Sequence, residues 1–194
     1  GLKIDPIISA ELDLVAKRLE DSGWVIEEPE APNFQEAAKF QATLWLGEFR
    51  RTGGEAITKE NDPDSNFIYS QMSRRCPDTS LEKFMDSLQQ RARISREWNK
   101  FFDQYPIILC PITGDIPFPD LKDLESEESF DLVFDSMLPQ IAPPYMGLPG
   151  LSFATSQTKQ KIPLGVQFIS RKFREDLLLN VGYEFENYYA KLEP

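Results

Sequence analysis

Histidine is absent from the 194 residues, and that removes most of the side-chain chemistry available near neutral pH. A Ser-His-Asp triad, a Cys-His pair and a histidine-ligated metal all need an imidazole. Nucleophilic or acid–base work would fall to Ser, Thr, Tyr, Lys, Cys and the carboxylates. Cys76 and Cys110 share no short spacing and imply no disulfide framework. Cys110 ends the apolar run Ile107-Ile108-Leu109-Cys110 and reads as a small buried hydrophobe. Asp120, Asp123, Glu125, Glu127, Glu128 and Asp131 crowd one stretch. Hard-cation loops need a tighter ligand pattern, so a solvated face is expected there, with no metal and no cofactor.

The charge balance restricts partners further. Asp and Glu number 32 against 21 Lys and Arg, a net charge of -11. Phosphate backbones and anionic lipid surfaces both attract basic faces, so neither a nucleic acid nor a membrane is expected as partner. No apolar stretch reaches membrane-spanning length. Gly1-Leu2-Lys3-Ile4-Asp5-Pro6 has no signal-peptide layout and reads as a chain begun mid-protein. Acidic surface and free thiols together point to a cytoplasmic protein.

Helices and strands must position whatever chemistry remains. Asp5-Pro6 opens a helix with Ile8, Leu12, Val15 and Leu19 on one face, and Gly23 closes it. Trp24-Val25-Ile26-Glu27 reads as a short strand. Asn33 caps a second helix reaching about Arg51, and a third runs from Ser80 to about Phe102. Phe34, Phe40, Trp45, Trp98 and Phe101 are expected in the core or in helix packing. Residues 52–79 read as a loop, with Gly53-Gly54 as a turn, and 114–142 as a second variable loop with a short helix. Ile107–Cys110 reads as a strand covered on both faces. Pro143 to Gly150 reads as a rigid bend, Leu151–Ala154 and Leu164–Ile169 as a hairpin, and Glu175–Ala190 as a final helix. The expected class is α/β: a mixed β-sheet of at least four strands flanked by helices, in one domain over 1–194.

Three segments, in order, resemble the C-terminal half of the amidase signature family. Arg96-Glu97-Trp98-Asn99-Lys100-Phe101-Phe102-Asp103-Gln104-Tyr105 leads into Ile107 to Cys110 and then Pro111-Ile112-Thr113, similar to the family's helix, Tyr-Asp step and strand ending in Pro-x-Thr. Gly147-Leu148-Pro149-Gly150-Leu151-Ser152 is similar to its Gly-x-Pro-Ala-x-Ser step. Ile162-Pro163-Leu164-Gly165-Val166-Gln167-Phe168-Ile169 is similar to its Leu-Pro-Val-Gly-Val-Gln-Leu strand. The opening helix-Gly-strand unit also matches. Pro106 stands where the family usually has Asp, Pro143-Pro144 lie near a usual Asn, Lys161 replaces a usual Gly, and Ala154-Thr155 replace a Pro-containing turn.

The resemblance implies hydrolysis of carboxylic amide C–N bonds by a Ser nucleophile, a second Ser and a Lys base, with the signature Gly-Gly-Ser-Ser-like run and the Lys placed upstream. Ser-Ser does not occur in this sequence, and Gly53-Gly54 is followed by Glu55. No catalytic residue therefore carries over, and the chain is expected to be inactive alone. What carries over is pocket lining for a small-molecule amide: Ile112, Thr113 and Gly114 after one strand, with Tyr145, Met146 and Gly147 facing the same cavity. The plainer readings, a strand end at Pro111 and a packed bend at 143–150, stand beside it. Gln167 is expected to be a sheet or core residue. A cut through the family's sheet would expose an edge, so homo-oligomerisation through that edge is expected. A non-catalytic binding module with the same half-fold, or a fragment of the A-type component of an amidotransferase that works on charged tRNA, stays open.

Overall fold

The computed structural model describes residues 3–186. The order is α1 (Pro6–Asp21), α2 (Phe34–Thr52), α3 (Gly54–Glu60), α4 (Pro63–Arg75), α5 (Leu81–Gln104), β1 (Ile107–Pro111), a short 3₁₀ turn (Lys122–Leu124), α6 (Glu127–Ser136), α7 (Leu138–Met146), β2 (Gly150–Gln157), β3 (Pro163–Ser170) and α8 (Glu175–Glu186). Local capping chemistry sets most helix starts. The Asp5 carboxylate accepts from the Ile7 amide at 2.7 Å, with Pro6 in the first turn. The Asn33 side chain accepts from Gln35 N, and Ser80 Oγ from Lys83 N. Each satisfies an amide that the first turn leaves without a carbonyl.

The sheet has the order β1-β3-β2. β3 is central, and both its pairings are antiparallel. The α/β class holds; the mixed pairing expected from the sequence is not present among the described strands. The hairpin forms as read, with both strands longer than expected. β2 runs through Ala154-Thr155 by a bulge rather than stopping there. Alternation along β3 sends Val166 and Phe168 to one face and Ile169 to the opposite layer. On the first face they meet Val15 and Leu19 of α1 and Leu178, Val181 and Phe185 of α8. Across the sheet, Ala37, Ile94, Trp98, Phe102, Tyr145 and Met146 pack α2, α5 and α7 together. The result is a helix–sheet–helix sandwich. Gly165 is required where the strands approach closely: a Cβ there would lie 2.7 Å from the Phe153 carbonyl oxygen.

Four expectations are corrected. Trp24–Glu27 forms no strand: Val25 is 84% exposed, while Trp24 and Ile26 pack on the α1–α8 core and the two prolines that follow discourage a ladder. Residues 52–79 are largely helical. Asn61 adopts the left-handed conformation (φ 57) that ends α3, and Asp62 immediately caps α4 through Ser65 N at 2.8 Å. The residue types that make turns are also those that cap helices, and Asn-Asp-Pro here does the second. Trp45 is 48% exposed rather than core.

The fourth concerns Pro143-Pro144, which lie inside α7 rather than in a bend. Proline has no amide to donate to the carbonyl four residues back. For Pro143 that carbonyl belongs to Pro139, and the Gln167 side-chain amide of β3 donates to it at 3.2 Å. A sheet residue thus supplies the hydrogen bond that the helix cannot make. Gly147, at φ 68, then closes α7. The final helix is expected to reach Ala190, and residues 187–190 of that span lie outside the described residues.

Candidate functional site

The segment leaving β1 is pinned by hydrogen bonds to its backbone and to the Thr113 hydroxyl. The Ile112 carbonyl accepts from Gln140 Nε2 at 3.2 Å. Thr113 Oγ1 donates to the Asp115 carbonyl at 2.6 Å. The Gly114 amide donates to the Ser136 carbonyl at 2.8 Å, and its carbonyl accepts from the Asp5 amide at 2.8 Å. α1, α6 and α7 therefore converge on one short stretch, which is held as a fixed wall. Cys110, just before it, is half-buried, and desolvation pushes its thiol up to about 11, which leaves it a poor nucleophile.

Tyr145, Met146 and Gly147 occupy different surroundings. Tyr145 is fully buried and its hydroxyl donates to the Ser87 carbonyl on α5; burial pushes its phenol up to about 12. Met146 is buried in the α2–α5–α7 core but also reaches a cleft of about 390 Å³ between α5 and the end of α7. The Lys172 side chain lies across Gly147, with Cε 3.6 Å from where a Cβ would stand.

The larger concavity is an apolar groove of about 670 Å³ lined by residues of α2, α3, α4 and the 3₁₀ turn. Trp45 and Phe49 of α2, Ile68, Tyr69 and Met72 of α4, and Leu121 before the turn form its walls, and Glu48, Asp64 and Asp123 supply charge with no basic residue in the lining. Leu121 is held at φ 57 and is 58% exposed. Left-handed backbone costs an L-residue about 1–2 kcal/mol. Such strain persists only where surrounding structure enforces it.

The groove's outer wall, α4, buries one residue fully, Gln71. It is held to α6 by charge. Arg74 and Arg75 both reach Asp131, at 2.6 and 2.7 Å, and Arg75 also pairs with Asp135 and lies over the Phe134 ring. Hydrogen bonds from Arg74 and then Arg75 hold the Asp131 carboxyl below its ordinary range. The acidic stretch is thus part clasp and part solvated face. Among the described residues no cluster of His, Cys, Asp or Glu is arranged to hold a metal ion.

Sequence reasoning anticipated neither cavity as a unit. The available signal for the groove was a tryptophan, Trp45, in a helix whose apolar positions exceed what one packed face can cover.

The amidase family model matches residues 1–179, and the chain belongs to that family. It is 27% identical over 187 residues to an indoleacetamide hydrolase of Bradyrhizobium diazoefficiens, covering 96% of this chain and 36% of that relative. It is 31% identical over 104 residues to the A-type component of the glutamyl-tRNA(Gln) amidotransferase of Treponema denticola, covering 54% of this chain and 21% of that relative. Its fold matches a 6-aminohexanoate cyclic dimer hydrolase at TM-score 0.76 and 15% identity, covering 97% of this chain and 42% of that one. The chain spans well under half the length of these proteins.

Proposed function

We propose that this chain forms scaffold and substrate wall for an amide hydrolase, while the serine nucleophile, the bridging serine and the lysine base come from polypeptide outside these 194 residues. One observation carries the reading: the amidase family model runs through residues 1–179, yet the sequence holds no Ser-Ser pair and no histidine to replace it. The pinned Ile112-Thr113-Gly114 stretch is the wall nearest the reacting amide. Tyr145 and Met146 stand apart from it in the α2–α5–α7 core, and Gly147 ends the helix that carries them. The apolar groove on α2 and α4 accepts the carbon body of the amide, which favours aryl or alkyl amides.

The test is ammonia release from indole-3-acetamide and phenylacetamide. The isolated chain should release none above the buffer rate, and a polypeptide joining it to an upstream Gly-Gly-Ser-Ser-like segment should turn over. Saturable hydrolysis by the isolated chain would sink the proposal. The outer edges of β1 and β2 have no strand partner among the described residues, which supports self-association of the isolated chain. A concentration-independent monomer in sedimentation would overturn that part alone.

A further inference from the structure

The smaller cleft has the opposite electrostatics to the groove. On α5, Leu88, Arg91, Ala92, Ser95 and Asn99 recur at helical spacing and form one wall. Met146 and Leu148 form the apolar floor, and Lys172, from the turn after β3, closes the far side. No acidic residue lines it. In a chain of net charge -11, an acid-free cleft flanked by two cations is a local inversion. Most arginines nearby are neutralised: Arg93 by Glu36 and Glu97, and Arg171 by Asp103. Arg91 makes no ion pair with a described residue, and the ammonium of Lys172 rests 4.9 Å from the centroid of the Phe173 ring rather than on a carboxylate. Ser95 and Asn99 add uncommitted polar side chains to the same lining.

We propose that this cleft binds a small carboxylate bearing a short apolar stem, with Arg91 and Lys172 holding the anion, Asn99 and Ser95 donating to it, and Met146, Leu148 and Ala92 taking the stem. A guanidinium offers a planar fork to a carboxylate, and an ammonium adds a point charge. The apolar floor makes a stem-bearing carboxylate fit better than a bare inorganic anion. The proposal needs no assumption about the reaction the family performs.

The methionines provide the readout. With ¹³C-labelled methionine methyls, Met146 reports on this cleft, Met72 on the acid-rimmed groove, and Met85 and Met137 serve as controls on the fold. Phenylacetate, phenylacetamide and phenethylamine are the probes: one body with negative, neutral and positive heads. Phenylacetate is expected to shift the Met146 methyl saturably and to bind about tenfold more tightly than phenylacetamide there. Arg91→Gln and Lys172→Gln, both at exposed positions, should each weaken that binding about tenfold and leave the control methyls in place. Added salt should weaken it as well. Equal shifts from the amide and the carboxylate, no Met146 shift at all, or unchanged binding in the double variant would each overturn the assignment.

Discussion

The two concavities are built on different foundations. The basic cleft stands on Ile94, Trp98, Tyr145 and Met146, none more than 3% exposed. The acid-rimmed groove is closed on one side by α4, which buries a single residue fully and is fastened to α6 by arginine–carboxylate pairs. Hydrophobic burial is not weakened by charge screening or by acid, whereas surface ion pairs weaken with added salt and with protonation of the carboxylate. One wall should therefore be rigid and the other adjustable within the same small chain.

The sharpest break of this comparison is at Trp98. It stacks on Phe34 at 4.4 Å and contacts Phe101 and Phe102. Trp98→Ala should cost about 3–5 kcal/mol and disrupt the basic cleft first; calorimetric unfolding and the Met146 methyl signal would measure this. Next is Gln167→Leu. It leaves the Pro139 carbonyl, in a buried turn, without its donor, and should cost about 1–3 kcal/mol while β3 keeps its packing. Denaturant midpoints with an unchanged m-value would support that origin.

Removing the clasp should cost less in total but more locally. Asp131→Asn should lower stability by about 0.5–1 kcal/mol, because the pairs are partly solvent-exposed, and should raise amide exchange in α4 while α5 stays protected. The same loosening should follow acidification. The Asp131 carboxyl is held below its ordinary range in the fold, so its contribution is present above the unfolded carboxylate range and disappears as pH falls through the lowered folded value. An α4 that exchanges no faster than α5 in either case would remove the contrast between the walls. The smallest effect is at Lys161, which sits at φ 64, at the position where the family resemblance expects glycine. Lys161→Gly should raise stability by up to about 1 kcal/mol, strain relief exceeding the added freedom of the unfolded chain.

The sequence disclosed α2 and α5 almost to the residue because Asn33 and Ser80 are caps with apolar faces behind them. It disclosed β3 as one arm of a hairpin, because a short polar turn separates the apolar runs Leu151–Ala154 and Leu164–Ile169; β1, expected to be covered on both faces, is only half-buried up to Pro111. α3 and α4 were hidden by punctuation: Gly53-Gly54 and Asn61-Asp62-Pro63 join helices here rather than interrupt them. α7 was hidden because the rule against two internal prolines is sound, and the exception rests on a glutamine distant in sequence. The resemblance singled out Ile112–Gly114 as pocket lining, but the hydrogen bonds from Gln140 and to Ser136 that hold the stretch come from residues distant in sequence. The basic cleft was not legible, since only the fold brings Lys172 into the same cleft as Arg91.

The Gln167–Pro139 hydrogen bond has a consequence for how the molecule opens. An ordinary helix can fray and re-form on its own main-chain bonds, but α7 depends on a donor rooted in the central strand. Loss of β3 removes that donor while the rest of α7 is still packed, so opening of the strand should loosen a helix in a different layer of the sandwich.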